Sequence, residues 1–134
     1  MRNLRFRVAA VWFLVLTCQL PAETPSSKAV EETSEKLGFR LSQIAQKTIG
    51  LATEPVTSSG DHMFRNESLV RFQDKVGVYR LRDGWFKLVE GTIILKKAGQ
   101  KVFRCSEIGP GDGLVIQGTA LLRVADMEAF AGGE

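Results

Sequence analysis

A single histidine, two cysteines and no apolar run approaching the ~20 residues of a bilayer-spanning helix narrow the function classes at once. His62 alone builds no catalytic relay, and neither a Gly-Xaa-Ser-Xaa-Gly elbow nor a phosphate-cradling glycine loop accompanies it. The densest glycine segment, GPGDG (109–113), precedes a strand pattern, so no helix N-terminus follows to receive an anion, and turn formation accounts for it. No enzymatic activity, catalytic residue or cofactor is expected. A metal would have to rely on His62 and Met63 beside Asp61, soft ligands suited to copper or silver ions. No second histidine or methionine cluster joins them, and neighbouring side chains of an extended segment point to opposite faces. No metal site is expected there, and a stand-alone periplasmic ligand- or metal-binding module is the second functional reading.

Acidic residues are missing from the first 22 positions, where Arg2, Arg5 and Arg7 precede the apolar run Val8 to Leu16. This is the pattern of a secretory signal peptide, with Leu20-Pro21-Ala22 offering a small residue for cleavage. Leu16-Thr17 before Cys18 do not supply the small residues of a lipoprotein signal. The expected products are a leader, residues 1–22, and an exported, periplasmic chain. The leader takes three of the 18 Lys and Arg and none of the 15 Asp and Glu, so fifteen of each remain. The basic balance belongs to the leader, and an evenly mixed remainder has no net charge to hold nucleic acid. No nucleic-acid partner is expected, and any membrane association is expected through the leader or a partner. Cys105 is then without an intramolecular disulfide partner. Strand alternation in VFRCSEI puts it beside Phe103 on an inward face, as a small buried apolar residue.

Large apolar residues are scarce from Pro21 to Lys36, and residues 23–38 read as a flexible polar spacer. Residues 39–127 hold regular apolar content, enough for one small domain, followed by a tail, 128–134. GFRLS (38–42) is extended and ends on Ser42, a helix N-cap; Ile44, Ala45, Thr48 and Ile49 follow at helical spacing, and Gly50 supplies a stop. LATEPV (51–56) is extended again, and SSGD (58–61) is a turn cluster. Strands follow at 68–73, 76–82, 85–95 and 101–108, with Asp83-Gly84 predicted as a two-residue hairpin turn. GLVIQGTALLRVAD (113–126) is expected to close the domain with two short strands bent at Gln117-Gly118. The fold class is therefore mostly β, a small antiparallel β-roll or barrel with one short N-terminal helix. Phe72, Tyr79, Trp85, Phe86 and Phe103 are expected mainly in the core, with Trp85 partly available beside its turn. Asn66-Glu67-Ser68 also fits a glycosylation acceptor pattern.

Taken together, these segments resemble the periplasmic adaptor subunits, or membrane fusion proteins, of resistance-nodulation-division efflux pumps. LSQIAQKTIGLATEPV (41–56) resembles the family's short helix, Ile-Gly pair and strand ending in Pro-Val that stand before the long middle of the chain. NESLVRFQDKVGVYRLRDGWFKLVEGTIIL (66–95) and SEIGPGDGLVIQGTALLRVAD (106–126) resemble its returning strands, hairpin, Gly-rich turn and paired valines. The resemblance spans about residues 39–126. Where a full adaptor inserts a β-barrel portion, a lipoyl-like domain and a long helical hairpin, this chain has only TSSGDHMFRN (57–66); the Pro usual before the returning strand is replaced by Arg65-Asn66. What the resemblance implies is the discontinuous membrane-proximal domain without the domains between its halves. It implies an accessory protein that docks on an efflux transporter or its full-length adaptor, with Asp83, Gly84, Trp85 and Phe86 as the expected contact residues. An edge strand near SLVRFQ is a second place where a partner strand could pair.

Overall fold

A computed structural model describes residues 28–131. Nine strands and two helices build it, in the order β1 (Val30–Ser34), β2 (Gly38–Leu41), α1 (Gln43–Ile49), β3 (Ala52–Pro55), β4 (Gly60–Arg65), β5 (Val70–Phe72), β6 (Lys75–Arg82), β7 (Trp85–Lys97), β8 (Gln100–Cys105), β9 (Gly113–Gln117) and α2 (Thr119–Phe130). The mostly β, antiparallel class expected from the sequence is the class observed. The leader, residues 1–22, lies outside the described residues.

The centre is the β6–β7 hairpin, paired from Val76↔Gly91 to Arg82↔Trp85. Its turn carries Asp83 at φ 52° and Gly84 at φ 81°, the two positive angles that match a tight turn to the right-handed twist of the strands. On the far side of β6 its two ends have different neighbours: β5 pairs with Gly77 and the residues before it, and β9 with Arg80 and Leu81. β9 in turn carries β3, and β2 joins β7 at Phe39↔Phe86 with β1 outside it.

β7 is 13 residues long and serves two layers. Beyond Gly91 it leaves β6 and pairs with β8, from Thr92↔Arg104 to Lys97↔Gln100, with a register shift between Ile93 and Leu95. β8 then carries β4 across Gly60↔Cys105 to Arg65↔Gln100. A side chain at Gly91 would run into the Arg104 carbonyl oxygen and the Phe103 ring, so the close approach that lets the strand pass from one layer to the other requires glycine.

Alternation along the hairpin fills a core on each side of it. One holds Phe39, Leu41, Ala45, Val70, Tyr79, Phe86, Val115, Leu122 and Ala125, drawn from the sheet and from α1 and α2. The other holds Val56, Phe64, Val78, Val89, Phe103, Cys105, Ile108 and Leu114, between the central strands and the β4–β8 layer. Adjacent residues such as Val78 and Tyr79 thus serve opposite cores, and both are fully buried.

Three elements correct the sequence reading. Thr119–Phe130 is a helix, where a second short strand and a tail from 128 were expected. Thr119, Leu122 and Ala125 face inward at helical spacing, and the Tyr79 hydroxyl donates to Asp126 at 2.7 Å. The expected single helix is therefore two. Gly60–Arg65 is a strand, where a turn and short link were expected, and so His62 and Met63 stand on β4. Val30–Ser34, within the expected spacer, forms a strand against β2; its side chains are largely exposed, so backbone pairing holds it.

Candidate functional site

The turn end of the β6–β7 hairpin was singled out by sequence, and the structure separates its four residues. Asp83 and Gly84 are exposed at the tip and Trp85 is half-buried, whereas Phe86 is 1% exposed and stacks near Phe39 in the core, with ring centroids 6.0 Å apart. Phe86 is therefore unavailable to a partner: alternation along β7 points it into the first core, with Phe39, Tyr79 and Leu122. Trp85, one residue earlier, points the other way.

Arg40 of β2 organises what remains. Its guanidinium lies 4.7 Å from the Trp85 ring centroid, and Nη2 donates to the Asp83 carbonyl at 3.0 Å. The cation thus stacks on the indole and holds the turn. Glu32 lies 3.9 Å from the same guanidinium across β1. The surface is a small mixed patch: an aromatic edge, a bound cation and two exposed turn residues.

Behind the turn, Arg82 clamps the GPGDG segment. Its Nε and Nη2 donate to the two Asp112 carboxylate oxygens at 2.6 and 2.7 Å, and the Gly109 N–H donates to Asp112 Oδ2 at 2.9 Å. Arg82 holds the Asp112 carboxyl below the usual carboxylate range, against the opposing effect of burial. Arg80, buried beside it, donates to the Glu107 carbonyl at 2.8 Å. The same segment meets the Pro55-Val56 end of β3: the Val56 N–H donates to the Asp112 carbonyl at 2.8 Å and the Gly111 N–H to the Val56 carbonyl at 3.2 Å. GPGDG is a turn, as its composition indicated, but the pairing of Asp112 with Arg82 carried no sequence signal, since 30 residues separate them.

His62 and Met63 point to opposite faces of β4. His62 turns inward beside Phe64, with ring centroids 6.2 Å apart, while Met63 is 62% exposed on the outer face. They cannot ligate one ion together without rearranging the strand. No group of three or more His, Cys, Asp or Glu stands together in a metal-holding arrangement among the described residues. Cys105 is 3% exposed, and burial raises its thiol above the ordinary range. Its Sγ lies 3.2 Å from the Glu90 carbonyl oxygen. β5 is only three residues long and pairs with β6 alone among the described residues, leaving a short open edge at the SLVRFQ segment. Its first expected residue, Ser68, instead ends a single 3-10 turn, Asn66–Ser68, and is buried against β9, its hydroxyl 3.4 Å from the Ile116 carbonyl oxygen.

Comparisons of this chain with protein-family models, with curated proteins and with solved structures find no match.

Proposed function

We propose that this chain is a small periplasmic, adaptor-like accessory protein that docks on a resistance-nodulation-division transporter or on its full-length adaptor and acts by protein contact. The observation that carries the reading is the pairing of β3 with β9, from Ala52↔Gln117 to Pro55↔Gly113, continued by the hydrogen bonds between Val56 and residues 111–112. Two segments that resemble opposite ends of an adaptor chain are neighbours in one sheet. In an adaptor those two ends meet in one membrane-proximal domain, and here the 57–66 link that stands for the inserted domains passes through β4 before the chain returns at β5. Asp83, Gly84 and the half-buried Trp85 form the contact, with the indole as the anchor, since partly exposed aromatics dominate protein interfaces.

Affinity capture of the tagged chain from membranes tests the proposal, using Asp83→Arg and Trp85→Ala variants beside the parent. The expected result is enrichment of a transporter or adaptor component over a mock sample, reduced ~30-fold by Trp85→Ala as for an interface anchor worth about 2 kcal/mol. Absence of any such component removes the proposal. Enrichment indifferent to both substitutions moves the contact away from this turn.

A further inference from the structure

Four strands, β1, β3, β4 and β5, have one edge that no other strand pairs with among the described residues. Such an edge carries backbone N–H and C=O groups that can template pairing with another chain. β1 and β3 contain no Lys or Arg to match their glutamates, β3 ends in Pro55, and β5 is three residues long. β4 differs. It is the longest of the four, Gly60–Arg65, and runs against β8 without a register shift. It also lacks the proline, lysine or bulge that commonly blunts an exposed edge.

The side chains of β4 are arranged symmetrically about Met63. Asp61, Met63 and Arg65 alternate onto the outer face, all three exposed, while His62 and Phe64 turn inward. Asp61 and Arg65 are opposite charges, each two residues from Met63. Antiparallel pairing of two β4 strands about a twofold axis at Met63 therefore sets Asp61 of each copy against Arg65 of the other. The same register sets His62 against Phe64 on the inner side. Opposite-charge and aromatic pairs directly across two strands stabilise a sheet. Arg65 has no carboxylate partner among the described residues. Asp61 accepts from Arg104 Nε and Nη2 at 2.6 and 2.9 Å, and a carboxylate keeps further lone pairs for a second guanidinium.

We propose that two copies of this chain pair through β4, edge to edge and antiparallel, with the twofold axis at Met63. The two β4–β8–β7 layers then become one continuous sheet. A twofold contact uses the same edge on both copies and leaves none over, so this pairing closes at a dimer. It does not involve the β6–β7 turn and is independent of the transporter reading. β4 supplies only six residues a side, against roughly 20–30 in a standard interface, so the dimer is weak and fills at high concentration.

Sedimentation equilibrium of the full chain, up to about 1 mM, reads the association, and NMR of an equal mixture of isotope-labelled and unlabelled chains locates it. The expected result is a monomer–dimer equilibrium with contacts between copies that link Met63 to Met63 and Asp61 to Arg65. Arg65→Asp turns both opposite-charge pairs into like-charge pairs and should raise the dissociation constant roughly 30-fold. Met63→Lys sets two cations on the axis and should raise it at least as much. Both residues are exposed, and the parent's contacts decide the question by themselves should a variant fold poorly. A chain that stays monomeric throughout overturns the proposal. So does association whose contacts lie outside residues 60–65, the N-terminal residues included, or a dissociation constant that neither substitution changes.

Discussion

Asp112 shows how one residue fixes two distant parts of this chain. Its side chain is 3% exposed and receives a bidentate pair from Arg82, whose own side chain is 48% exposed. Solvent reaching Arg82 screens the pair, so Asp112→Asn is expected to cost about 1.5 kcal/mol at neutral pH, measured by denaturant unfolding. The folded carboxyl titrates below its unfolded value, ~3.9, so its contribution is complete above that value and disappears as pH falls through the folded one. Unfolding free energy should therefore decline below about pH 4, with a shallower decline in Asp112→Asn. Asp61, also held low by Arg104, titrates in the same window and remains in both proteins, so their difference isolates Asp112. An equally steep acid decline in the variant would contradict this assignment. Tyr79 makes the corresponding link to α2, its fully buried ring ending in a 2.7 Å hydrogen bond to Asp126, which also accepts from Arg123 at 2.9 Å. Tyr79→Phe keeps the ring in place and should cost about 1.5 kcal/mol, the range for a hydrogen bond to a charged group. An unaltered unfolding midpoint and slope would show that the hydroxyl contributes nothing.

Elements were legible in the sequence where local chemistry and tertiary context agree. Ser42 caps α1 as expected, accepting from the Ala45 N–H at 3.1 Å, and Gly50 ends the helix at φ 71°. Asp83-Gly84 made the central hairpin visible because few other dipeptides tolerate both angles. α2 was missed because Gly118, at its N-cap position, brings no capping side chain, and the Leu-Leu-Arg-Val run also suits a strand. Its inward spacing is seen only against Tyr79 and the first core. β4 was hidden because His62 faces inward and Met63 outward, which breaks the apolar-in, polar-out alternation of a strand, and the β8 strand that pairs with it lies some 40 residues away. β1 has almost no apolar content, so its pairing with β2 had no signal of burial. The passage of β7 between layers leads to a prediction at this scale. Gly91→Ala should cost about 3 kcal/mol through overpacking against a backbone carbonyl and a buried ring, read as a lowered denaturant midpoint. If the variant unfolds like the parent, the two layers do not depend on that close approach.

At the scale of the whole molecule, β7 ties two layers together, its first half pairing with β6 behind the Trp85 patch and its second half with β8. The sequence pointed to the Trp85 patch through its aromatic turn, while the packing of Arg40 on the indole depends on a strand 45 residues earlier in the chain. The leader reading predicts that the exported protein begins at Glu23, and N-terminal sequencing of that protein checks it; a chain still carrying Met1 would contradict cleavage. The central claim is that residues 41–56 and the strands after residue 67 form one compact β unit. NMR of the full chain tests it most directly, through nuclear Overhauser contacts between Thr53 and Val115 and between Val56 and Asp112. The predicted result is that both contacts are present, with amides in β3 and β9 protected from exchange alongside those of β6 and β7. If residues 43–56 show no contact with residues 111–117 and exchange freely while the central hairpin stays protected, the claim is contradicted.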